Sequence, residues 1–557
     1  MMFTPQRQFS RKIWANELFE ICTKMKTIFK TVILIFAVAV ATFANAAERP
    51  NVIVILVDDM GFSDLGCYGS EIPTPNLDAL AAGGLRFTQF YNTGRCCPTR
   101  ASLLTGLYSH QAGVGAMTDD QGVPGYRGRL NDQCVTIGEV LKGAGYFTAM
   151  TGKWHVGQKF DVVPWKRGFD RNMTSAAGGF YFPEAPKAQL FYNGRTLAAN
   201  SPELPKNWYS SDLWADYGIR FIDEARTEKK PFFLYLAFNA PHFPLQAPAE
   251  DIAKFRGKYK IGWDKLREQR LAKQRQLGLL NANAPLTPRP EDVKEWDSLS
   301  EQEKDRFDHI MSIYAAAVNH MDQSVGTLVK ALKDRSLLDN TLIMFMSDNG
   351  GNAESGPGGV LMGKAPGSVH STVFCGKSWA TLENTPFRLY KHYNHEGGIS
   401  TPLIVHWPKK IKDGGEFRRQ PGHLIDIMAT CVDVGRAKYP EKFNGNLIPP
   451  MEGRSLVPAF ENKTIKRDAL FWEHEGNAAV RVGDWKLVRF GRNGKWELYD
   501  ISKDRSELNN LAEKEPERVK ILTEKWEAWA ERAHVKPYPV GEKKPKANAK
   551  RKARKEK

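Results

Sequence analysis

Apolar residues in this chain fall into short unbroken runs separated by stretches of helical period. Asn51 to Val57 is almost wholly β-branched or Leu, with no polar alternation. That pattern predicts a strand covered on both faces, as in a parallel sheet. Tyr146 to Met150, Phe232 to Phe238, Thr341 to Met346 and Pro402 to Trp407 read as further strands, the first two after helical stretches. Helical periodicity lies between them at Asn76 to Ala82, Ile137 to Lys142, Ser211 to Ala225 and from Ser300 towards Asp334. Two of these helices open on capping boxes, Thr136-x-x-Glu139 and Ser300-x-x-Glu303. Strands alternating with helices predict an α/β fold built on a large, mostly parallel mixed sheet flanked by helices.

The spacing changes after about residue 435. Ala479 to Arg489 and Lys495 to Asp500 read as antiparallel strands, and Pro516 to Ala533 as a helix, which together predict a smaller α+β C-terminal subdomain. The expected organisation is a targeting segment over 1–46, a main domain over 47–435, the subdomain over 436–540 and a basic tail over 541–557. Residues 254–299 form an insertion rich in Lys, Arg and Gln, whose helical part ends at Pro285, Pro288 and Pro290. It reads as a solvated helical excursion, or else as a rim of a substrate cleft.

Composition narrows the class. A chain of 557 residues with a hydrophobic fraction of 42% can hold a large globular domain with a companion. Lys26 and Lys30 precede the apolar run Val32 to Val40, and Ala44-Asn45-Ala46 is a small-residue cleavage site. This is the layout of a secretory signal peptide starting at Met25, with residues 1–24 an upstream start. Export to the periplasm or the medium is expected, without stable membrane insertion, because the run is too short to span a bilayer. The net charge of +16 is uneven. Residues 541–557 carry nine Lys or Arg against two Glu, and residues 1–46 six against two. The remaining body is only mildly basic, so nothing beyond charge suggests nucleic acid, and the tail reads as a solvated segment. Seven cysteines, scattered and odd in number, do not form a disulfide framework.

The chemistry sits at the ends of the apolar runs. Asp58-Asp59 follows the first strand, Lys153-Trp154-His155 the second, His242 the third and Asp348-Asn349 the fourth. Strand carboxyl ends line the ligand crevice of an open α/β sheet, so these four segments are expected to converge. Asp58, Asp59, Asp348 and Asn349 offer only oxygen donors, which select a hard cation, Ca²⁺ or Mg²⁺, over zinc. Taken singly, an Asp pair serves as a turn or cap, and a lone Lys or His is ordinarily solvated or structural.

Residues 96–106 read Cys-Cys-Pro-Thr-Arg-Ala-Ser-Leu-Leu-Thr-Gly. Pro98 suits the first position of a helix, which places residue 96 at a helix N-terminus where free N–H groups favour an anion. Arg100 follows about one turn on.

This run resembles the signature of the type I sulfatases of the alkaline phosphatase superfamily, and Asn384-Thr385-Pro386-Phe387-Arg388 with His395-Glu396-Gly397-Gly398-Ile399 is most similar to bacterial arylsulfatases. The resemblance covers roughly residues 50–515. It implies that Cys96 is oxidised by a maturation enzyme to formylglycine, whose hydrate attacks sulfur. A thiol would leave a stable thiosulfate ester, whereas the second hydroxyl of a hydrate can expel sulfate and restore the aldehyde. It implies metal ligation by Asp58, Asp59, Cys96, Asp348 and Asn349, with calcium expected, and catalytic roles for Cys96, Arg100, Lys153, His155, His242 and Lys391. Two Lys cations suit a sulfate whose oxygens stay charged through the transition state, and two imidazoles suit the proton transfers. His242 is assigned to the leaving group and His155 to release of sulfate.

The expected function is hydrolysis of sulfate monoesters, aryl sulfates in assay and sulfated carbohydrates in nature. Gly178 to Asn193 and Gly363 to Leu382 are candidate specificity loops. Two rivals are a formylglycine-dependent phosphonate or phosphate ester hydrolase and a non-catalytic sulfated-glycan binding protein on the same scaffold. The second would lack one of the catalytic residues, and all are present.

Overall fold

The computed structural model describes residues 25–26, 49–186 and 188–539. The rest of the targeting segment and the basic tail lie outside them. The described residues from Asn51 onwards form one compact unit. Its core is an 11-stranded sheet: β1 (Asn51–Val57), β2 (Leu85–Tyr91), β3 (Phe147–Lys153), β4 (Arg171–Ser175), β5 (Gln189–Tyr192), β6 (Arg195–Ala198), β7 (Phe232–Ala237), β8 (Thr341–Ser347), β9 (Ser400–His406), β10 (Glu416–Arg418) and β11 (Gly422–His423). The order across it is β10-β2-β9-β8-β1-β7-β3-β4-β5-β6, with β11 also on β2. The central block β8-β1-β7-β3-β4 is parallel. β9 runs antiparallel to both neighbours, and β5 and β6 continue antiparallel.

The unbroken apolar run of β1 has a direct cause. Val52, Val54 and Leu56 enter one hydrophobic core and Ile53, Ile55 and Val57 another, because successive side chains leave a strand on opposite faces. The first core is closed by helices α2 (Cys96–Thr105), α3 (Ile137–Gly143) and α7 (Ile425–Gly435), through Leu104, Val140 and Met428. The second is closed by α1 (Pro75–Ala82), α4 (Ser210–Thr227) and the 34-residue α6 (Glu301–Asp334), through Leu77, Trp214 and Val325. Both predicted capping boxes form: Thr136 caps α3 and Ser300 caps α6.

Two expectations change. The insertion is not a solvated excursion. Its helix α5 (Trp263–Gln276) buries Trp263, Leu266, Arg267, Arg270 and Gln274, and Arg270 donates to Asp64 (2.6 Å) and Glu71 (2.8 Å) beneath the main sheet's loops. A polar-rich helix reads as exposed only until its Arg finds buried carboxylates. In addition, Pro98 is the third residue of α2, not the first; the helix begins at Cys96 itself.

The C-terminal part is a four-stranded antiparallel sheet, β12 (Leu470–His474), β13 (Asn477–Val482), β14 (Trp485–Arg489) and β15 (Glu497–Asp500), under α8 (Pro516–Arg532). The stretch 479–489, expected to be antiparallel strand, spans the hairpin of β13 and β14. This sheet shares a hydrophobic core with Tyr91, Tyr108, Ile399 and Ile425 of the main domain. A buried ion cluster crosses the same junction. Lys486 Nζ donates to Glu396 (2.9 Å) and forms an ion pair with Glu507 (2.8 Å), and Arg505 donates to Glu396 (3.0 Å).

Candidate active site

The strand ends converge as expected. Asp58 and Asp59 leave β1, Lys153 ends β3, His242 follows β7 and Asp348 and Asn349 follow β8, all but His242 buried. Asp58 binds Lys153 Nζ (2.5 Å), and Asp59 binds Lys391 Nζ (2.6 Å) and the Asn349 amide (2.8 Å). Arg100 Nη2 donates to Asp348 Oδ2 (2.8 Å) and lies 3.6 Å from Asp58, while its Nη1 donates to the Lys153 carbonyl (2.9 Å). Arg100 therefore turns to the carboxylates as well as flanking residue 96. Asp59 (φ 66°) and His155 (φ 59°) both hold left-handed backbone conformations. Such strain in non-glycine residues costs on the order of 1–3 kcal/mol each and gathers at functional sites.

Cys96 is the first residue of α2, and no side chain caps that helix, so its first-turn N–H groups point at the site without a capping acceptor. Thr99 locks the segment by donating to the Asp348 carbonyl (2.7 Å). Cys96, Cys97 and His155 bring one ligand atom each within 4.8 Å of one another. A hydrogen bond from Cys97, reinforced by Lys153 and His155, outweighs burial and holds the Cys96 thiol well below its usual range. Burial pushes Cys97 well above it. The two neighbouring thiols are thus chemically unlike. All six cysteines of the described residues are free.

Burial would raise the Asp58 carboxyl, but Lys153, His242 and Arg100 outweigh it and keep it low. Asp348 is pushed well up by burial and by Asp58. Burial also lowers His155 and His242. Asp58 Oδ1 and Asn349 Oδ1 are buried oxygens without a hydrogen-bond partner. Orphaned buried acceptors are rare, and here they belong to the set of oxygen donors predicted to hold a hard cation. The residues fit such an ion. Asn352, whose amide donates to Asp59 Oδ2 (2.8 Å), also belongs to the group and carries no sequence signal of its own.

His242 faces the group with Nε2, 3.7 Å from Asp59 Oδ2, while its Nδ1–H donates to the Phe243 carbonyl (2.6 Å). Its ring stacks on Phe243, which stacks on Phe374 of the hairpin Val360–Gly363 and Ser371–Phe374. The loop from Gly178 also reaches the site: a Cβ there would lie 3.3 Å from Asp58 Oδ2. Gly350 permits the Asp348–Gly351 loop to pass under Gly397, whose carbonyl a Cβ would meet at 2.0 Å. Glu396, in the segment after Lys391, faces away from the site into the ion cluster at the domain junction.

A cysteine at a helix N-terminus, two lysines, two histidines and an all-oxygen donor set on the carboxyl edge of a parallel block suit the hydrolysis of anionic esters. Residues 50–436 match the sulfatase family model and residues 387–532 the model for the C-terminal part of N-sulphoglucosamine sulphohydrolase. The chain belongs to the sulfatase family, as a type I sulfatase of the alkaline phosphatase superfamily, and is a sulfuric ester hydrolase. It is 37% identical to an uncharacterized sulfatase of Schizosaccharomyces pombe over 86% of this chain and 93% of that one. It is also 37% identical to an arylsulfatase of Klebsiella aerogenes, over 74% of this chain and 93% of the relative. The crystal structure of Ps i-CgsB in complex with k-i-k-neocarrahexaose superposes with a TM-score of 0.64 at 28% identity, covering 87% of this chain and 93% of that one. The phosphonate monoester hydrolase of Agrobacterium radiobacter, at 20% identity and a TM-score of 0.56, shares the fold.

Proposed function

We propose that the protein is an exported sulfatase that removes sulfate from a sulfated carbohydrate, using formylglycine at position 96 and a calcium ion at the aspartates. The observation that carries this reading is the pair of orphaned oxygens, Asp58 Oδ1 and Asn349 Oδ1, buried beside Cys96 at the head of α2. As a formylglycine hydrate, residue 96 would supply one hydroxyl to attack sulfur and a second to release sulfate. Asp58, Asp59, Asp348 and Asn349, with residue 96, would hold the cation, which supplies positive charge for the ester oxygens.

The chain's own groups divide the remaining work. Lys153 and Lys391, each held by an aspartate, bring fixed ammonium charge to the sulfate oxygens, and the free N–H groups at the head of α2 add to it. Arg100 fixes Asp348 and the end of β3. His242, with its Nδ1–H held by Phe243, presents Nε2 to the leaving-group oxygen as general acid. His155, beside Cys96, is the base for release of sulfate. The relative solved with k-i-k-neocarrahexaose supports a carbohydrate ester as the substrate class. The loops from Gly178 and Gly363, which reach the site through Gly178 and the Phe374–Phe243 stack, are the proposed specificity elements. The signal-peptide pattern at Lys26 to Ala46 supports export, and among the described residues no helix is long and apolar enough to cross a membrane.

Peptide mass spectrometry of the purified protein tests the reading at its centre. Residue 96 is expected to carry the aldehyde mass, and a screen of sulfated sugars is expected to release sulfate faster than matched phosphonates release alcohol. An unmodified Cys96 in active protein, or a preference for phosphonates, overturns it.

A further inference from the structure

His155 and His242 follow neighbouring parallel strands, β3 and β7, and β4 lies on the other side of β3. Two strand spacings, about 10 Å, therefore separate the end of β4 from the end of β7. The chain that leaves β4 at Ser175 crosses this gap over the end of β3 and touches both histidine segments on the way. At its start, the Ser175 and Ala176 carbonyls accept from the Trp154 N–H (2.9 Å) and the His155 N–H (3.0 Å). Gly178 comes next, so close to the aspartate group that a Cβ there would lie 3.3 Å from Asp58 Oδ2 and 3.5 Å from Lys153 Cδ. Gly179 then turns the chain at φ 101°, a conformation that favours glycine. Tyr181 ends the crossing against the segment after β7. Its hydroxyl donates to the His242 carbonyl at 2.7 Å and lies 3.4 Å from the Asn239 carbonyl.

Rigid groups hold both sides of this contact. Tyr181 is fully buried, its ring stacks on Tyr209 with centroids 5.5 Å apart, and its carbonyl accepts from the Ser210 N–H (2.8 Å) at the head of α4. On the other side, the His242 N–H closes a turn onto the Asn239 carbonyl (2.9 Å). The Asn239 amide donates to the Phe180 carbonyl (2.6 Å) and accepts from Trp214 Nε1 (2.8 Å), which ties the foot of that turn to the same loop and to α4. The imidazole of His242 is bound to its own backbone through Phe243, so any shift of the turn carries Nε2 with it. Groups that take part in proton transfer must be placed to within a fraction of an ångström, and a hydrogen bond from a packed phenol supplies that constraint.

We infer that residues 176–181 form a strap that sets the spacing between the two histidines, with Tyr181 the positioning residue for His242. Being fully buried, Tyr181 acts on the substrate only through His242. This role rests on His242 serving as the acid for the leaving group.

Steady-state kinetics of the mature protein with 4-nitrophenyl sulfate and phenyl sulfate provide the test. Phenol is the poorer leaving group and depends more on the proton. Tyr181→Phe keeps the ring and its stack and removes only the hydroxyl. It should lower kcat for phenyl sulfate by roughly 10–100-fold, the effect of displacing a reacting group by up to about 1 Å. The nitrophenyl ester should stay within about threefold, with KM unchanged for both. In a His242→Ala background the same change should cost less than about twofold, because the group it positions is gone. A merely structural tyrosine would slow both esters alike and keep its full effect without His242, and either result, or no loss at all, overturns the inference. If His242→Ala itself slows both esters equally, the acid assignment falls and the strap's role falls with it. If His242→Ala separates the esters and Tyr181→Phe does not, only the strap is refuted.

Discussion

Cys96 and Cys97 are neighbours, both buried, yet their thiols are driven in opposite directions: the hydrogen bond from Cys97, with Lys153 and His155, lowers Cys96, while burial, with that same hydrogen bond, raises Cys97. Only Cys96 occupies the first position of α2. Cys96→Ala should therefore lower kcat by on the order of 10⁴-fold or more, the scale seen when a nucleophile is removed. Cys97→Ser should stay within about tenfold of wild type, since it removes only a partner of that group. Steady-state assay with a nitrophenyl sulfate decides, and the reverse order would refute the assignment. Asp348→Ala removes one proposed metal ligand and strands Arg100, so metal content by elemental analysis and activity should fall together. The lone Nε2 of His242 gives a sharper test. If it protonates the leaving group, His242→Ala should slow sugar sulfates by roughly 10²–10⁴-fold while nitrophenyl sulfate, which needs little protonation, suffers far less. Equal losses on both esters would remove His242 from that role. Asp348 and His242 were legible in the sequence because each follows an apolar run, where a strand must end in the crevice, and Cys96 because its run carries the sulfatase signature. Asn352 was not, because it sits on the loop beyond β8 and only the tertiary fold turns its amide to Asp59.

At the level of elements, strands buried on both faces were readable and strands at the margins were not. β1, β7 and β8 are apolar at nearly every position because two cores claim their alternate residues. β2 is interrupted by the half-buried Arg86 and Gln89, and β4 to β6 are short, with Arg171, Gln189 and Arg195 at partly or fully exposed positions. Nothing in such segments outweighs a loop reading until the neighbouring strand is known. Helix α5 misled for the opposite reason: its buried arginines look solvated until Asp64 and Glu71 are placed. The ion cluster at the domain junction is another product of tertiary placement. Lys486 is fully buried between Glu396 and Glu507. Replacing it by Met leaves Glu507 without its cation and Glu396 with Arg505 alone, and breaking a buried pair from one side costs about 3–5 kcal/mol. Urea unfolding of Lys486→Met should show that loss, with the double variant Lys486→Met and Glu396→Gln recovering part of it. A loss under about 1 kcal/mol would mean that the cluster is dispensable.

The molecule as a whole should be acid-sensitive through buried neutral histidines. His423, in β11, accepts a hydrogen bond from the Ile425 N–H (3.2 Å), and burial then Arg467 push it down to about 3. The unfolded chain binds a proton at this residue below about 6.5 and the folded chain does not until about 3. Stability therefore falls as pH drops through that window, by about 1.4 kcal/mol per unit for one such group, or about 2 kcal/mol by pH 5. Thermal melts of His423→Gln should show a shallower decline between pH 6.5 and pH 4 than wild type; parallel curves would exclude this residue as the cause. His423 lies where the main sheet meets the C-terminal sheet, its ring 5.6 Å from that of Trp472. The same junction holds Glu396 and Lys486, one from each side of the proposed boundary at residue 435. A recombinant made by joining the front of this protein to the back of a relative would inherit the acid from one parent and must find its base in the other. Genes of this kind are thus expected to exchange as whole cassettes, with crossovers near that boundary surviving only between parents that share the pair.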